Sequence, residues 1–83
     1  MMKTFRILGT GCARCRALAQ NVESAARQLG LAFQIVWVTD VEQILAYEVY
    51  MTPALVVDDR VAVVGLVPDV EELKKILSAA GAP

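Results

Sequence analysis

Apolar residues recur along the first half of the chain with two spacings, one typical of strands and one typical of a helix. Lys3–Leu8 alternates weakly and Leu31–Val38 is mostly apolar, so each run predicts a β-strand. Between them, apolar residues three and four positions apart predict a helix over about 13–29, and Gly30 is suited to end it. The buried stripe of that helix comprises Cys15, Leu18, Val22, Ala25, Ala26 and Leu29.

The second half of the chain predicts a short helix and then a hairpin. Thr39 or Asp40 is expected to cap the short helix, whose buried side comprises Ile44, Leu45 and Tyr47. Proline is tolerated at the first position of a strand but not inside a central one, so a strand is expected to follow Pro53. Asp58-Asp59 is a two-residue turn candidate that joins the strands at 54–57 and 60–64.

The last element is predicted to be a helix that begins after Pro68. Asp69 and Glu72 fit a capping box, and Gly81 is expected to stop the helix. The predicted order is therefore β-α-β-α-β-β-α, which implies an α/β fold. A crossover helix joins parallel strands and a hairpin joins antiparallel ones, so we expect a four-stranded mixed sheet with helices on both faces, forming one domain over residues 1–83.

Composition excludes several functional classes. The net charge is −1 without a basic patch, so nucleic acid is not an expected partner. Apolar runs are too short for a membrane span, and the N-terminus lacks the apolar segment of a signal peptide, so a cytoplasmic monomer is expected. The absence of histidine removes the commonest metal ligand and the Ser-His and Cys-His triads, and no cofactor is predicted.

The only two cysteines form a C-x-x-C motif where the first strand meets the first helix. A helix N-terminus favours a thiolate over a thiol, and the thiolate is the reactive form of cysteine. The apolar stripe includes Cys15 but not Cys12, so Cys12 is expected to be exposed at the helix tip and Cys15 to face the core. Taken alone, Cys15 could instead be a small buried apolar residue, but the spacing favours thiol–disulfide exchange.

Two arginines follow Cys12 closely. Arg14 lies between the cysteines, where its positive charge would lower the pKa of Cys12, and Arg16 could add to that effect. The alternative is that both are solvated charges on the helix surface with little influence on the thiols.

The element order, the C-x-x-C motif at the first strand–helix junction, and Thr52-Pro53 at the start of the third strand resemble the thioredoxin fold. The closest resemblance is to small, glutaredoxin-sized, redox-active disulfide proteins. It implies that Cys12 attacks and Cys15 resolves, with protein disulfides as substrates and a thioredoxin-reductase-like electron donor. It also implies a cis-proline facing the disulfide and a substrate-binding set formed by Gly11, Thr52, Pro53 and Gly65.

The sequence departs from the family pattern at three places. Thioredoxins have W-C-G-P-C, whereas this chain has Gly-Cys-Ala-Arg-Cys and lacks the tryptophan before Cys12. The carboxylate that thioredoxins place six residues before the first cysteine corresponds to Arg6, and an arginine cannot accept a proton from a thiol. The C-P-Y-C motif of glutaredoxins is also absent.

Two other functions fit a vicinal dithiol. The thiolates could bind a metal or metalloid such as Cu(I) or arsenite, although a Cys₄ zinc site would need two chains. The pair could also switch a binding module between oxidation states without turnover.

Overall fold

The computed structural model describes residues 2–80, and the predicted element order is confirmed over that range. The predicted helix stop at Gly81 lies outside the described residues. The seven elements are β1 (Lys3–Leu8), α1 (Ala13–Gln28), β2 (Phe33–Val38), α2 (Val41–Ala46), β3 (Ala54–Val57), β4 (Arg60–Val64) and α3 (Val70–Ala80).

The four strands form one mixed sheet in the order β2-β1-β3-β4. Strand β2 is parallel to β1, while β3 pairs antiparallel with both β1 and β4. The predicted mixed sheet is therefore confirmed. The C-terminal ends of β1, β2 and β4 and the start of β3 meet at one end of the sheet, where β1 leads into the C-x-x-C motif.

Alternation along the strands separates two buried clusters on opposite faces of the sheet. Phe5 and Ile7 of β1 belong to the larger cluster, in which α1 and α3 cover the sheet. Leu8 of the same strand belongs to the smaller cluster, which is covered by Ile44 of α2 and by Val49. Because successive side chains of a strand point to opposite faces, one strand supplies both cores and the helices lie on both faces.

Helix α1 buries the predicted stripe from Cys15 to Ala26, whereas Leu29 follows the helix and is only partly buried. The C-terminus of α1 explains why β2 begins later than expected. The Gly30 N–H donates to the Arg27 carbonyl, and the Leu31 N–H donates to the Ala26 carbonyl, each at 3.0 Å. Gly30 has a φ of 70°, so these contacts form a Schellman motif. Leu31 is therefore part of the helix cap, and the predicted strand over 31–38 begins at Phe33 instead.

Two aspartates begin the shorter helices. The Asp40 carboxylate accepts from the Glu42 N–H at 3.2 Å, so Asp40 rather than Thr39 is the cap of α2. Asp69 accepts from the Glu72 N–H at 2.8 Å in the predicted position. One expectation for α2 is wrong: Leu45 is 47% exposed, because a six-residue helix buries only a narrow side, that of Ile44.

The β3–β4 hairpin turns through Asp58 and Asp59, as predicted. Both residues have positive φ angles, 46° and 72°, which is the conformation of a type I′ turn. Aspartate tolerates this conformation better than most residues do. The Asp58 carboxylate also accepts from the Thr4 N–H at 2.9 Å and pairs with Lys3 at 3.2 Å, so the turn is attached to the start of β1.

Candidate functional site

The two cysteines lie together at the N-terminus of α1. Cys12 is the exposed N-cap residue, and Cys15 is fully buried one turn along the helix. Both are free thiols, and their Sγ atoms are 3.1 Å apart. The apolar stripe predicted that Cys12 is exposed and that Cys15 faces the core. The spacing of three residues brings the two sulfurs together at the first turn.

Hydrogen bonds to the sulfur hold the pKa of Cys12 below its ordinary value. The largest contribution is the bond from the Cys15 thiol, followed by the backbone N–H of Cys15, with the backbone N–H of Arg14 contributing less. These amides belong to the first turn of α1, where N–H groups have no partner within the helix. The thiolate of Cys12 is therefore favoured by its position and by its neighbouring cysteine.

Gly9 leaves the space in which the Cys15 sulfur lies. It is buried at the end of β1, and its N–H donates to the Val38 carbonyl at 3.0 Å. A Cβ atom at this position would overlap Cys15 Sγ and would lie 3.8 Å from Thr52 Cβ. The absence of a side chain at Gly9 is therefore what leaves room for the sulfur.

The loop before β3 faces the helix tip and is joined to the end of β4. The Thr52–Pro53 peptide bond is cis, as the resemblance implied, and Pro53 is buried. Gly65 has a φ of 72°, and its N–H donates to the Pro53 carbonyl at 2.7 Å. Among residues 2–80, the backbone of Thr52 has no hydrogen-bond partner, so it is open to an incoming chain.

Arg14 connects the C-x-x-C motif to this loop. Its guanidinium donates to the Gly65 carbonyl at 2.9 Å. The effect of Arg14 on the pKa of Cys12 comes through its backbone N–H, and the charge of its side chain is not among the causes. The predicted tuning residue thus acts through a different group, because its side chain extends away to Gly65.

Gly11 lies in open space, unlike Gly65, which lies against Met51. Its φ is 84°, and a Cβ atom there would have no neighbour within 4 Å. The glycine therefore provides the backbone turn into the helix and leaves the approach to Cys12 open.

Three exposed apolar side chains close in sequence to the predicted site residues were not predicted to belong to the site. Tyr50, Met51 and Leu66 are 79%, 63% and 64% exposed. Met51 lies against Gly65, since an added Cβ there would be 3.2 Å from Met51 Cε. Their position directly beside Thr52-Pro53 and Gly65 in the sequence was the signal that could have identified them. These three exposed side chains, which flank Thr52-Pro53 and Gly65 in the chain, are called the apolar rim below.

Arg6 lies away from the sulfurs. Its side chain pairs with the Asp59 carboxylate at 3.0 Å, at the hairpin end of the sheet. Within residues 2–80, no charged or polar side chain is buried, so Cys15 has no buried carboxylate beside it.

No group of three or more Cys, Asp or Glu side chains among residues 2–80 is arranged to hold a metal ion. In the same range, no helix combines the length and the apolar character that crossing a bilayer requires.

Comparisons with known proteins agree with this geometry. A family model described as "Thioredoxin domain" matches residues 3–78. The chain is 40% identical over 79 residues to a thioredoxin of Methanocaldococcus jannaschii, covering 95% of this chain and 91% of the relative. It is also 40% identical over 78 residues to a thioredoxin of Methanothermobacter thermautotrophicus, covering 94% and 100%.

A solved structure titled "Structure of a malarial protein" has the same fold. It superposes with a TM-score of 0.71 at 8% identity, over 99% of this chain and all of that one. The matched sequence range contains the C-x-x-C motif, the cis-proline and Gly65. The chain belongs to the thioredoxin domain family, and Cys12 and Cys15 are its thiol–disulfide exchange pair.

Proposed function

We propose that Cys12 is the attacking thiol and Cys15 the resolving thiol of a protein-disulfide oxidoreductase. The observation that carries this assignment is the contrast between the two sulfurs. Cys12 is exposed with a lowered pKa, while Cys15 is fully buried 3.1 Å away. Only Cys12 can reach a disulfide on another protein, and only Cys15 is close enough to displace that protein afterwards.

The exchange consists of two displacements. The Cys12 thiolate attacks one sulfur of the substrate disulfide, the substrate S–S bond breaks, and the other substrate sulfur leaves as a thiolate that takes a proton. Cys15 then loses its proton and attacks the Cys12 sulfur, which closes the Cys12–Cys15 disulfide and releases the second substrate thiolate. The substrate gains two electrons and the protein loses two.

The substrate segment is expected to bind across the loop before β3. The free backbone N–H and C=O of Thr52 would pair with an extended chain, in the manner of β-augmentation. Pro53, Gly65 and Gly11 keep this path open, and the apolar rim of Tyr50, Met51 and Leu66 offers contact area to apolar substrate side chains. Regeneration by a thioredoxin-reductase-like donor in the cytoplasm completes the expected cycle.

Covalent trapping with matched serine variants tests the assignment. The Cys15→Ser variant, incubated with oxidised insulin, should accumulate a mixed disulfide through Cys12 that dithiothreitol releases. The Cys12→Ser variant should trap no substrate and should lose insulin-reducing activity entirely, because the remaining thiol is buried. Equal trapping by both variants, or an active Cys12→Ser protein, would show that the roles are assigned wrongly.

A further inference from the structure

Strand β2 is an edge of the sheet that lacks the usual protection against pairing. It is the terminal strand in the order β2-β1-β3-β4. Natural edges are blunted by charged residues, proline or bulges. Phe33–Val38 contains none of these, and it pairs with β1 in continuous register. The opposite edge does have such features, since β4 begins with Arg60 and the β3–β4 register shifts between Leu55 and Val56.

The backbone of β2 offers hydrogen bonds at known positions. The carbonyls of Ala32 and Val38 accept from the N–H groups of Lys3 and Gly9, on the β1 side. Backbone direction alternates along a strand, so residues 34 and 36 also face β1. Residues 33, 35 and 37 therefore direct their N–H and C=O groups to the free edge.

Apolar side chains surround these free backbone groups. Val36 and Trp37 are 38% and 42% exposed, on opposite faces of the edge. Trp37 and Ile35 form the base of a cavity of about 320 Å³ between the edge and α1. A chain that paired with β2 would cover apolar surface on both faces of the sheet as well as backbone.

The charges beside this cavity point to what could pair there. The cavity is lined on α1 by Arg16, Ala19, Gln20 and Glu23, at spacings that lie along one side of the helix. The basic and acidic residues stand at its two ends, symmetrically about the midpoint between Ala19 and Gln20. On β2, the midpoint between Ile35 and Trp37 is Val36. Because these α1 residues and the two β2 residues line the same cavity, a two-fold axis beside Val36 would bring Arg16 of each copy towards Glu23 of the other.

From this self-complementarity we propose that a second copy of this chain pairs antiparallel with β2 across a two-fold axis at Val36. In that register, Ile35 of one copy is opposite Trp37 of the other. Both residues direct their N–H and C=O groups to the free edge, so Ile35 of one copy and Trp37 of the other can exchange two hydrogen bonds. The symmetry repeats this pair on the other side of the axis. The pairing extends the four-stranded sheet to eight strands and sets an aromatic side chain against a β-branched one. It differs from the monomer that the sequence favours, and it does not depend on the exchange chemistry.

A charge swap tests the proposal directly. Sedimentation velocity on the full-length, reduced protein from micromolar to millimolar concentration should show a monomer–dimer equilibrium. Arg16→Glu or Glu23→Arg alone places like charges together twice in each dimer and should weaken the dimer about tenfold. The double variant Arg16→Glu/Glu23→Arg should restore the affinity to within about threefold, since the charges are again opposite.

Two further variants control for side effects. Glu23 also pairs with the exposed Arg27 within the helix, so Arg27→Gln should leave the dimer constant unchanged. Val36→Lys places two lysines together at the axis and should abolish the dimer while circular dichroism stays native. Trp37 is the only tryptophan, so its emission should shift to shorter wavelength as the dimer forms.

The outcomes are unambiguous. A wild-type protein that is monomeric at millimolar concentration overturns the proposal. So does a double swap that stays as weak as the single variants, or a Val36→Lys protein that dimerises like the wild type.

Discussion

At the end of the sheet where β1 leads into Gly9, backbone groups and the two cysteine sulfurs make the contacts. The Arg14 guanidinium adds a hydrogen bond to the Gly65 carbonyl. At the opposite end, where β3 turns into β4, the contacts are made by carboxylates. Lys3 and Thr4 bind Asp58 there, and Arg6 binds Asp59. These two regions lie at opposite ends of the same strands. Close packing of Gly9 against the Cys15 sulfur determines the first, and ion pairs determine the second.

The difference follows from what each end has to do. The turn needs only to be closed. Partly exposed ion pairs and the hydrogen bond from the Thr4 N–H to Asp58 are sufficient for that. The site must hold a buried thiol beside an exposed one, and a nearby charged side chain would have to be buried at considerable cost. Substitutions at the site should therefore act mainly through space and hydrogen bonds, whereas substitutions at the turn should act mainly through pH-dependent charge.

Gly9→Ala is expected to have the largest effect. The added methyl group overlaps Cys15 Sγ, so the buried sulfur or the backbone at residue 9 must shift. We expect the free energy of unfolding to fall by about 1–3 kcal/mol, as for other overpacked sites, and the rate of insulin reduction to fall at least tenfold. Urea denaturation and the insulin assay measure the two effects.

Gly30→Ala is the matched control for that substitution. Gly30 has a φ of 70° and free space around it, so a methyl group there introduces backbone strain without a clash. It should cost about 1 kcal/mol and leave insulin reduction unchanged. A normal exchange rate in Gly9→Ala would mean that the close approach of Gly9 to the sulfur is unimportant.

The second prediction concerns the thiols themselves. The Cys15 thiol is the main cause of the lowered pKa of Cys12, so Cys15→Ala should raise that pKa. Cys15→Ser retains a hydrogen-bond donor and should raise it less. The pH dependence of alkylation by iodoacetamide reports the pKa of Cys12 in all three proteins. Identical profiles would assign the lowering to the helix N-terminus alone.

The smallest effect is expected at the turn. The hydrogen bond from the Thr4 N–H, and then the hydrogen bond and the charge of Lys3, hold the pKa of Asp58 below its ordinary value. The folded-state pKa is below the unfolded one, so this stabilisation is present above the unfolded pKa of about 4 and is lost as the pH falls through the folded value. Asp58 is 43% exposed, so Asp58→Asn should cost only about 0.5 kcal/mol at pH 7.

Thermal unfolding of Asp58→Asn and wild type between pH 7 and pH 2 measures this difference, which should disappear at the acidic end. Asp59→Asn is the control, because its carboxylate is 80% exposed and should contribute almost nothing. A difference that stayed constant with pH would mean that Asp58 acts through turn conformation and not through its charge.

Local patterns predicted most of the architecture and the roles of the cysteine pair. The apolar stripe of α1 separated Cys15 from Cys12 because side-chain direction along a helix depends only on spacing. The caps at Asp40 and Asp69 and the turn at Asp58-Asp59 were predictable for the same reason, since each involves residues a few positions apart. The full Schellman motif is not apparent from Gly30 alone, so the apolar run predicts a start of β2 two residues early.

Contacts between distant residues were beyond such patterns. Gly9 lies six residues before Cys15 in the chain but against its sulfur in space, and the Arg14 side chain crosses to Gly65. The exposure of Leu45 likewise depends on how α2 lies on the sheet.

The sequence by itself determined the order and type of the elements and the exposed and buried positions of the two thiols, because periodicity and capping act over a few residues. Only the tertiary structure decided which groups surround the sulfurs and which strand is left at the unprotected edge. Those properties depend on pairing between segments far apart in the chain, and a local pattern does not specify that pairing.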